Sequence, residues 1–167
     1  MAEATAAQET AGGANKRLLV VAHDPSPNTQ RMVEAVLRGA RSDAIEAVET
    51  VHVRPLEAGP EDVLAADATL LGTTENLGYM SGALKDFFDR TYYNVGDETE
   101  GMPYALYVRA GMDGTGTRRA VESICTGLQW RPVQDPLICR GKWDDAFLEQ
   151  CEELGMYMAA GLDAGIL

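Results

Sequence analysis

The chain has 167 residues, 46% of them hydrophobic and 24% charged, which is enough apolar material for one compact domain and too little length for two. Its 14 lysines and arginines against 26 aspartates and glutamates give a formal charge of -12 at pH 7. Nucleic acids and anionic membranes are therefore excluded as expected partners, because phosphate groups need a basic surface. The longest aliphatic run, 18–22, is far shorter than the roughly 20 residues that cross a bilayer, so we expect a soluble protein without a membrane span.

The first residues differ in composition from the rest of the chain. Residues 1–15 are rich in Ala, Glu, Thr and Gly and lack the basic start and apolar centre of a secretory signal, which predicts a disordered tail before one domain at 16–167. Three cysteines without CxxC spacing and only two histidines predict neither a disulfide framework nor a metal site. A reducing, cytoplasmic location is the expectation.

Predicted strands alternate with predicted helices along the domain. Apolar runs and alternating segments predict strands at 17–22, 45–53, 68–72, 104–108 and 132–139, the last interrupted by Pro136. Apolar residues at helical spacing predict helices near 28–40, 61–66, 81–92, 121–128 and 143–160. Asn28 or Thr29 is the expected N-cap of the first helix and Ser81 that of the third.

This alternation predicts the fold class. Parallel strands need crossover connections, and right-handed crossovers on both faces give an α/β, doubly wound, five-stranded parallel sheet with helices on both faces and strand order 2-1-3-4-5. Ligands bind such sheets beyond the carboxyl ends of the strands, where the strand order reverses. Three loops are expected to meet there, at 23–30, 73–82 and 109–117.

The first loop has the residues of an anion site. Ser26, Asn28 and Thr29 precede the first turn of a helix, whose free N–H groups attract phosphate, although the alternative is that one of them only caps the helix. Asp24 opposes phosphate binding by its charge, and His23 offsets that charge if it is protonated.

The second loop carries a family resemblance. The segment TTENLGYMSGALKDFFDR, 73–90, resembles the flavin-edge loop of flavodoxin-like FMN proteins, which include the NAD(P)H-dependent FMN reductases and quinone reductases. The matching residues are Gly72, Thr73, Asn76, Gly78, Met80, Ser81, Gly82, Leu84, Lys85, Phe87, Asp89 and Arg90. The first loop is similar to the phosphate loop T-G-N-T of flavodoxins, with Pro27 in place of the glycine. Together the matched segments and the alternating pattern span roughly 16–160.

The resemblance implies FMN as cofactor and NAD(P)H as co-substrate. The third loop suits the pyrimidine end of FMN because its glycines permit close backbone approach, while Asp113 either bonds the flavin or caps the next helix. The predicted cofactor-binding residues are His23, Ser26, Asn28, Thr29, Thr73, Thr74, Asn76, Leu77, Gly78, Tyr79, Gly111, Asp113 and Gly114. No catalytic side chain is predicted, because FMN N5 carries the chemistry.

The implied function is an oxidoreductase that passes hydride from NAD(P)H through FMN to a quinone or a similar small electron acceptor. The alternative is a flavodoxin-type electron carrier docking on a basic redox partner, which the charge favours but the absence of an aromatic residue in the third loop opposes. A flavin-free binding module stays open because of Asp24 and Pro27. Reductases of this superfamily often form dimers or tetramers, so a homodimer with Tyr92 and Tyr93 near the contact is a further expectation.

Two other classes with similar features are excluded. A phosphoacceptor receiver domain needs an aspartate at the end of the third strand, where this chain has Gly72 and Thr73. A serine hydrolase of this architecture needs a GxSxG elbow, which the sequence lacks.

Overall fold

A computed structural model describes residues 15–167, so the tail predicted at 1–15 lies almost wholly outside the described residues. The strands are β1 (Lys16–Ala22), β2 (Val48–Val53), β3 (Ala68–Asn76), β4 (Tyr79–Met80), β5 (Pro103–Ala110), β6 (Arg131–Pro132) and β7 (Leu137–Arg140). The helices are α1 (Pro27–Ala40), α2 (Pro60–Leu64), α3 (Gly82–Val95), α4 (Thr115–Gly127) and α5 (Ala146–Asp163), and a 3-10 turn follows α3 at Gly96–Thr99. Within 15–167, no helix combines the length and apolar character needed to cross a membrane.

The sheet has the predicted topology. Its strands run in the order β2-β1-β3-β5-β6, all of them parallel, while β7 also pairs with β5 and β4 pairs antiparallel with β3. Ala22 pairs with Gly72, and Thr74 pairs with Arg109, so the carboxyl ends of β1, β3 and β5 lie side by side. The α/β doubly wound fold class is confirmed, and β5 is the strand that the sequence predicted as the fourth.

The fifth predicted strand is divided. Instead of one strand over 132–139, β6 and β7 each pair with β5 and are separated by residues 133–136. Pro136 has no backbone N–H to give to a sheet, which accounts for the interruption before Leu137. The predicted interruption at Pro136 is therefore present, but it covers 133–136 and divides the strand into two short ones, and the predicted place at the edge of the sheet is right.

Two hydrophobic cores lie on the two faces of the sheet. One contains buried residues of α3 and α4, including Leu84, Phe87 and Val121, and the other contains buried residues of α1 and α5. Two glycines, Gly39 and Gly155, bring α1 and α5 together: a Cβ atom on either would overlap a backbone carbonyl of the opposite helix. This close packing holds the C-terminal part of α1 directly against α5.

Candidate functional site

The first loop ends in a reciprocal helix cap. Ser26 is the N-cap of α1, and its hydroxyl accepts the Thr29 N–H at 3.2 Å while the Thr29 hydroxyl accepts the Ser26 N–H at 2.9 Å. Pro27 takes the first helical position, where its fixed φ fits and its missing N–H costs no helical hydrogen bond. The prediction of Asn28 or Thr29 as N-cap was wrong by two or three residues. The capping alternative considered for this loop is therefore realised by Ser26 and Thr29.

The charge of Asp24 is compensated by a residue that the sequence analysis did not select. Arg54, immediately after β2, donates to both carboxylate oxygens of Asp24, at 3.0 and 3.4 Å. The Asp24 side chain is 10% exposed and that of Arg54 is 59% exposed, so the guanidinium also faces solvent. Hydrogen bonding to Asp24 raises the pKa of Arg54. Arg54 therefore stays positively charged beside the first loop at every relevant pH.

His23 is placed at the end of β1, where its backbone N–H donates to the Gly72 carbonyl at 3.0 Å. Its Nδ1 atom is buried and has no hydrogen-bond partner within the described part of the chain. Burial lowers the pKa of His23, and the nearby Asp24 only partly offsets this effect. The imidazole is accordingly neutral at pH 7, so Arg54, and not a protonated His23, neutralises Asp24.

The second loop is a β-hairpin rather than an irregular loop. β3 continues through Thr73, Thr74 and Asn76, and Tyr79 belongs to β4, so the long polar loop expected after Gly72 was wrong. Only Leu77 and Gly78 form the turn, with φ values of 54° and 74°. Two consecutive residues with positive φ are typical of the tight hairpin turn that matches the twist of a sheet. Leu77 and Gly78 therefore lie at an exposed tip.

Thr73 and Thr74 have different environments within this hairpin. The Thr73 hydroxyl is buried, donates to the Thr74 carbonyl and accepts the Ser81 N–H at 3.0 Å. Ser81 in turn caps α3 by accepting the Leu84 N–H, as predicted. The Thr74 hydroxyl bonds the Asn76 side chain at 2.9 Å on the outer part of the hairpin. Of the two threonines, Thr74 is the one left near solvent.

Glu75 joins the hairpin to the third loop. Its two carboxylate oxygens accept the N–H groups of Met112 and Gly114, both at 2.8 Å. The role of Glu75 could not be predicted from the sequence, because nothing in its spacing distinguishes it from a solvated glutamate. The Gly114 amide, predicted to contact the flavin, is thus already bonded, whereas a Cβ atom on Gly111 would meet open space.

α4 also packs directly against the hairpin. The Thr117 hydroxyl donates to the Tyr79 carbonyl at 2.9 Å, and Gly116 lies so close to the Gly78 carbonyl that a Cβ atom there would overlap it. Asp113, one residue before the N-cap Gly114 of α4, accepts the Thr115 N–H at 3.0 Å, which lowers the pKa of Asp113. The second and third predicted loops therefore form one connected structure.

A cavity of about 270 Å³ adjoins the first loop. Its lining residues come from the first loop, the segment after β2 and the start of α3: His23, Asp24, Pro25, Arg54, Pro55, Leu56, Glu57 and Ala83. Prolines and Leu56 give it apolar walls, and the Arg54 cation and the His23 imidazole bring polar groups to it. Apolar walls with a few polar groups are the usual composition of a small-molecule site.

These residues fit the cofactor that the resemblance implies. The unpartnered Nδ1 of His23 is a buried polar atom that a bound ligand or water can satisfy. Arg54 removes the charge objection raised by Asp24, and the open hairpin tip leaves space for a planar ring. Pro27 remains a departure from the phosphate loop of flavodoxins, because it supplies no N–H.

Two known proteins are similar to this chain in sequence. The chain is 36% identical to a flavodoxin of Aquifex aeolicus (strain VF5), over 67% of this chain and 60% of that protein. It is 30% identical to an NAD(P)H dehydrogenase (quinone) of Acidithiobacillus ferrooxidans (strain ATCC 53993 / BNL-5-31), over 45% of this chain and 46% of that protein. The matched regions thus span only about half to three fifths of the two relatives.

Solved structures share the fold. A flavodoxin from the domain Archaea superposes with a TM-score of 0.73 at 21% identity, covering 87% of this chain and 98% of that one. Residues 6–143 match the model of the NADPH-dependent FMN reductase family, which is most of the chain and reaches from the tail to β7. These findings confirm the predicted flavodoxin-like fold and support FMN as the cofactor. The chain belongs to the NADPH-dependent FMN reductase family.

Proposed function

We propose that the protein is an NAD(P)H-dependent FMN oxidoreductase that passes hydride from the nicotinamide to a quinone or a similar small acceptor. Membership of the NADPH-dependent FMN reductase family supports the electron donor. The similarity to an NAD(P)H dehydrogenase (quinone) supports the acceptor class. The buried, unpaired thiols of Cys125, Cys139 and Cys151 are compatible with work in a reducing cytoplasm.

The proposed cofactor site runs from the first loop to the hairpin and the third loop. Asn28 and the helix start of α1 receive the phosphate, while Arg54 balances Asp24 beside it. The backbone at Asn76, Leu77 and Gly78 lies along the edge of the ring, where amides donate hydrogen bonds and tune its electronics. FMN, when bound, supplies the centre that accepts and releases hydride. The chain orients that centre and leaves one side of it open.

The observation that carries the reductase proposal is the lack of an aromatic cover at the site. Tyr79 is the single aromatic side chain in the three loops, and the third loop presents the exposed Met112 instead. Carrier flavodoxins usually enclose the ring between aromatic residues of the second and third loops. A ring bound beside Gly111 and Met112 keeps a face accessible to a nicotinamide, which hydride transfer requires.

The electron carrier is the competing candidate, supported by the charge of -12 and by the 36% identity to a flavodoxin. An acidic surface docks readily on basic redox partners. The two candidates differ in one property: a carrier receives electrons from a protein partner, whereas a reductase takes hydride directly from NAD(P)H.

Anaerobic absorbance spectroscopy separates the two candidates. The FMN-loaded protein is mixed with NADPH, with NADH or with dithionite, and the loss of the visible flavin band is followed in time. Rapid bleaching by a nicotinamide nucleotide is the expected result. Bleaching by dithionite alone favours the carrier, and a protein that retains no FMN contradicts both candidates. Adding a quinone to the bleached protein should restore the band if the acceptor class is right.

We also propose a homodimer in which Tyr93 on α3 contacts the second subunit. The Tyr93 side chain is 87% exposed, while the neighbouring Tyr92 ring packs edge-on against it and rests on the core. An aromatic side chain exposed to this degree is a common contact residue in protein interfaces. Size-exclusion chromatography with light scattering tests this: the wild type should be dimeric and Tyr93→Glu monomeric.

A further inference from the structure

A second cavity, of about 310 Å³, lies on the far side of the third loop, between the start of α4 and the end of β7. Three arginines line it: Arg118 and Arg119 from the first turns of α4, and Arg140 from the last position of β7. Asp113 and Glu122 line it as well. All three arginine side chains belong to exposed residues, so a ligand can reach them.

Two of these arginines have no carboxylate partner in the described part of the chain. Arg118 pairs with Glu122 at 2.7 Å, but neither Arg119 nor Arg140 forms an ion pair within residues 15–167. The other cation near this edge, Arg109, already donates to the carbonyls of Ala110, Cys139 and Gly141. Arg119 and Arg140 are therefore the guanidinium groups available to a ligand at this edge.

The charge of this cavity is unusual for the protein. The chain as a whole carries -12, yet here three arginines face two carboxylates. Glu122 pairs with Arg118, while Asp113 accepts the Thr115 N–H and also attracts Arg140 without a direct ion pair, so one positive charge remains uncompensated. In each of four other cavities in the described part of the chain, aspartate and glutamate outnumber arginine and lysine. Guanidinium groups in such a setting are suited to phosphate, which they bind in a planar, bidentate manner.

The cavity adjoins the proposed flavin site through Gly114. The Gly114 N–H bonds Glu75 on the hairpin side, and Gly114 also lines the cavity. A nicotinamide dinucleotide carries its ribose phosphate at the end remote from the nicotinamide. The ribose phosphate is therefore expected to bind beside the flavin site and not within it.

We infer that Arg119 and Arg140 bind the 2′-phosphate of NADPH in this cavity and so select NADPH over NADH. This inference rests on the proposed function, because it assigns the donor nucleotide of that reaction. The same two guanidinium groups can also bind inorganic phosphate. The titrations described next distinguish inorganic phosphate from the phosphate of the nucleotide.

Isothermal titration calorimetry of the FMN-loaded protein with 2′,5′-ADP and with 5′-AMP measures the 2′-phosphate directly. We expect 2′,5′-ADP to bind about tenfold more tightly than 5′-AMP. The double variant Arg119→Gln/Arg140→Gln should abolish that preference. The matched control Arg131→Gln changes another exposed arginine, on β6, that does not line the cavity and should keep the preference. Circular dichroism checks that all variants are folded.

Several results would overturn the inference. If the double variant still prefers 2′,5′-ADP, the 2′-phosphate binds elsewhere. If the wild type binds the two nucleotides with equal affinity, the protein has no site for the 2′-phosphate. Competition by inorganic phosphate as strong as that by 2′,5′-ADP would reduce it to a site for free anions. Flavin reduction distinguishes failure of the proposed function: if neither NADPH nor NADH bleaches the flavin while 2′,5′-ADP still binds through the two arginines, the phosphate site stands and the reductase proposal falls.

Discussion

Glu75 accepts the Gly114 N–H at 2.8 Å, and this hydrogen bond connects the end of β3 to the loop before α4. Its other oxygen accepts the Met112 N–H at the same distance. The carboxylate thereby joins the end of β3 to two residues that lie 37 and 39 positions later in the sequence. Both segments belong to the proposed flavin site, so Glu75 is a positioning residue for it.

Replacing Glu75 tests this role. Glu75→Ala removes both acceptors and frees the third loop, so we expect the FMN dissociation constant to rise about tenfold, equivalent to about 1.4 kcal/mol. Glu75→Gln keeps one acceptor oxygen and should have an intermediate effect. Quenching of flavin fluorescence measures the constants. Glu98→Ala, which removes an exposed glutamate near the end of α3, is the control and should match the wild type. Unchanged FMN affinity in Glu75→Ala would show that the third loop does not contact the flavin.

The pair of Asp24 and Arg54 predicts a compensating double variant. Arg54→Ala leaves the nearly buried Asp24 carboxylate without its cation beside the first loop, so FMN should bind about fivefold more weakly. Adding Asp24→Asn removes the repelling charge and should restore most of the affinity. A double-mutant cycle of FMN dissociation constants gives the coupling between the two residues. Additive effects in that cycle would mean that Arg54 acts on the flavin independently of Asp24.

The contact between Gly116 and the Gly78 carbonyl predicts a position that tolerates no side chain. In Gly116→Ala the new methyl overlaps the hairpin backbone, so the hairpin and α4 must separate at a cost of about 1–3 kcal/mol in the free energy of unfolding. Urea denaturation measures this cost. Gly59→Ala is the matched control, since Gly59 is extended and its added Cβ meets nothing within 4 Å. Equal stability of the two variants would contradict the close packing of α4 on the hairpin.

His23 predicts the sign of one pH effect. Burial lowers its pKa below the ordinary 6.5, so the unfolded chain binds this proton more readily than the folded chain. The stabilisation from neutral His23 is complete above pH 6.5 and is lost as the pH falls towards the lowered pKa. The melting temperature of the wild type should therefore decrease more between pH 7.5 and 5.5 than that of His23→Gln. Parallel curves for the two proteins would show that His23 titrates normally in the fold.

The fold could be predicted from sequence because apolar runs and helical spacing are local signals. β1, for example, is a nearly continuous aliphatic segment, and its burial on both faces follows directly from that pattern. The hairpin was missed because Thr73, Thr74 and Asn76 are polar and look like a loop, although they extend a buried strand. Polar residues at the end of a strand indicate exposure to solvent. They do not show whether backbone hydrogen bonding to the neighbouring strand ends there.

The proximity of the three predicted loops could be predicted from the sequence, whereas most of the contacts between them could not. Loop positions follow from the strand order, so the sequence could bring the first loop, the hairpin and the third loop to one edge of the sheet. Arg54 and Glu75 act through partners 30 and 39 residues away, Asp24 and Gly114. Contacts between residues so far apart in sequence depend on the register and twist of the strands. Neither can be deduced from composition or from the spacing of residue types.

The proposed site places one FMN against the hairpin tip formed by Leu77 and Gly78. The most direct test is the FMN affinity of Gly78→Trp compared with Gly165→Trp, because both glycines have positive φ and open surroundings but Gly165 lies near the end of the chain. Circular dichroism shows whether both variants are folded. We expect Gly78→Trp to lose FMN binding and Gly165→Trp to bind FMN as the wild type does. Wild-type affinity in a folded Gly78→Trp protein would contradict this expectation and remove the hairpin from the site.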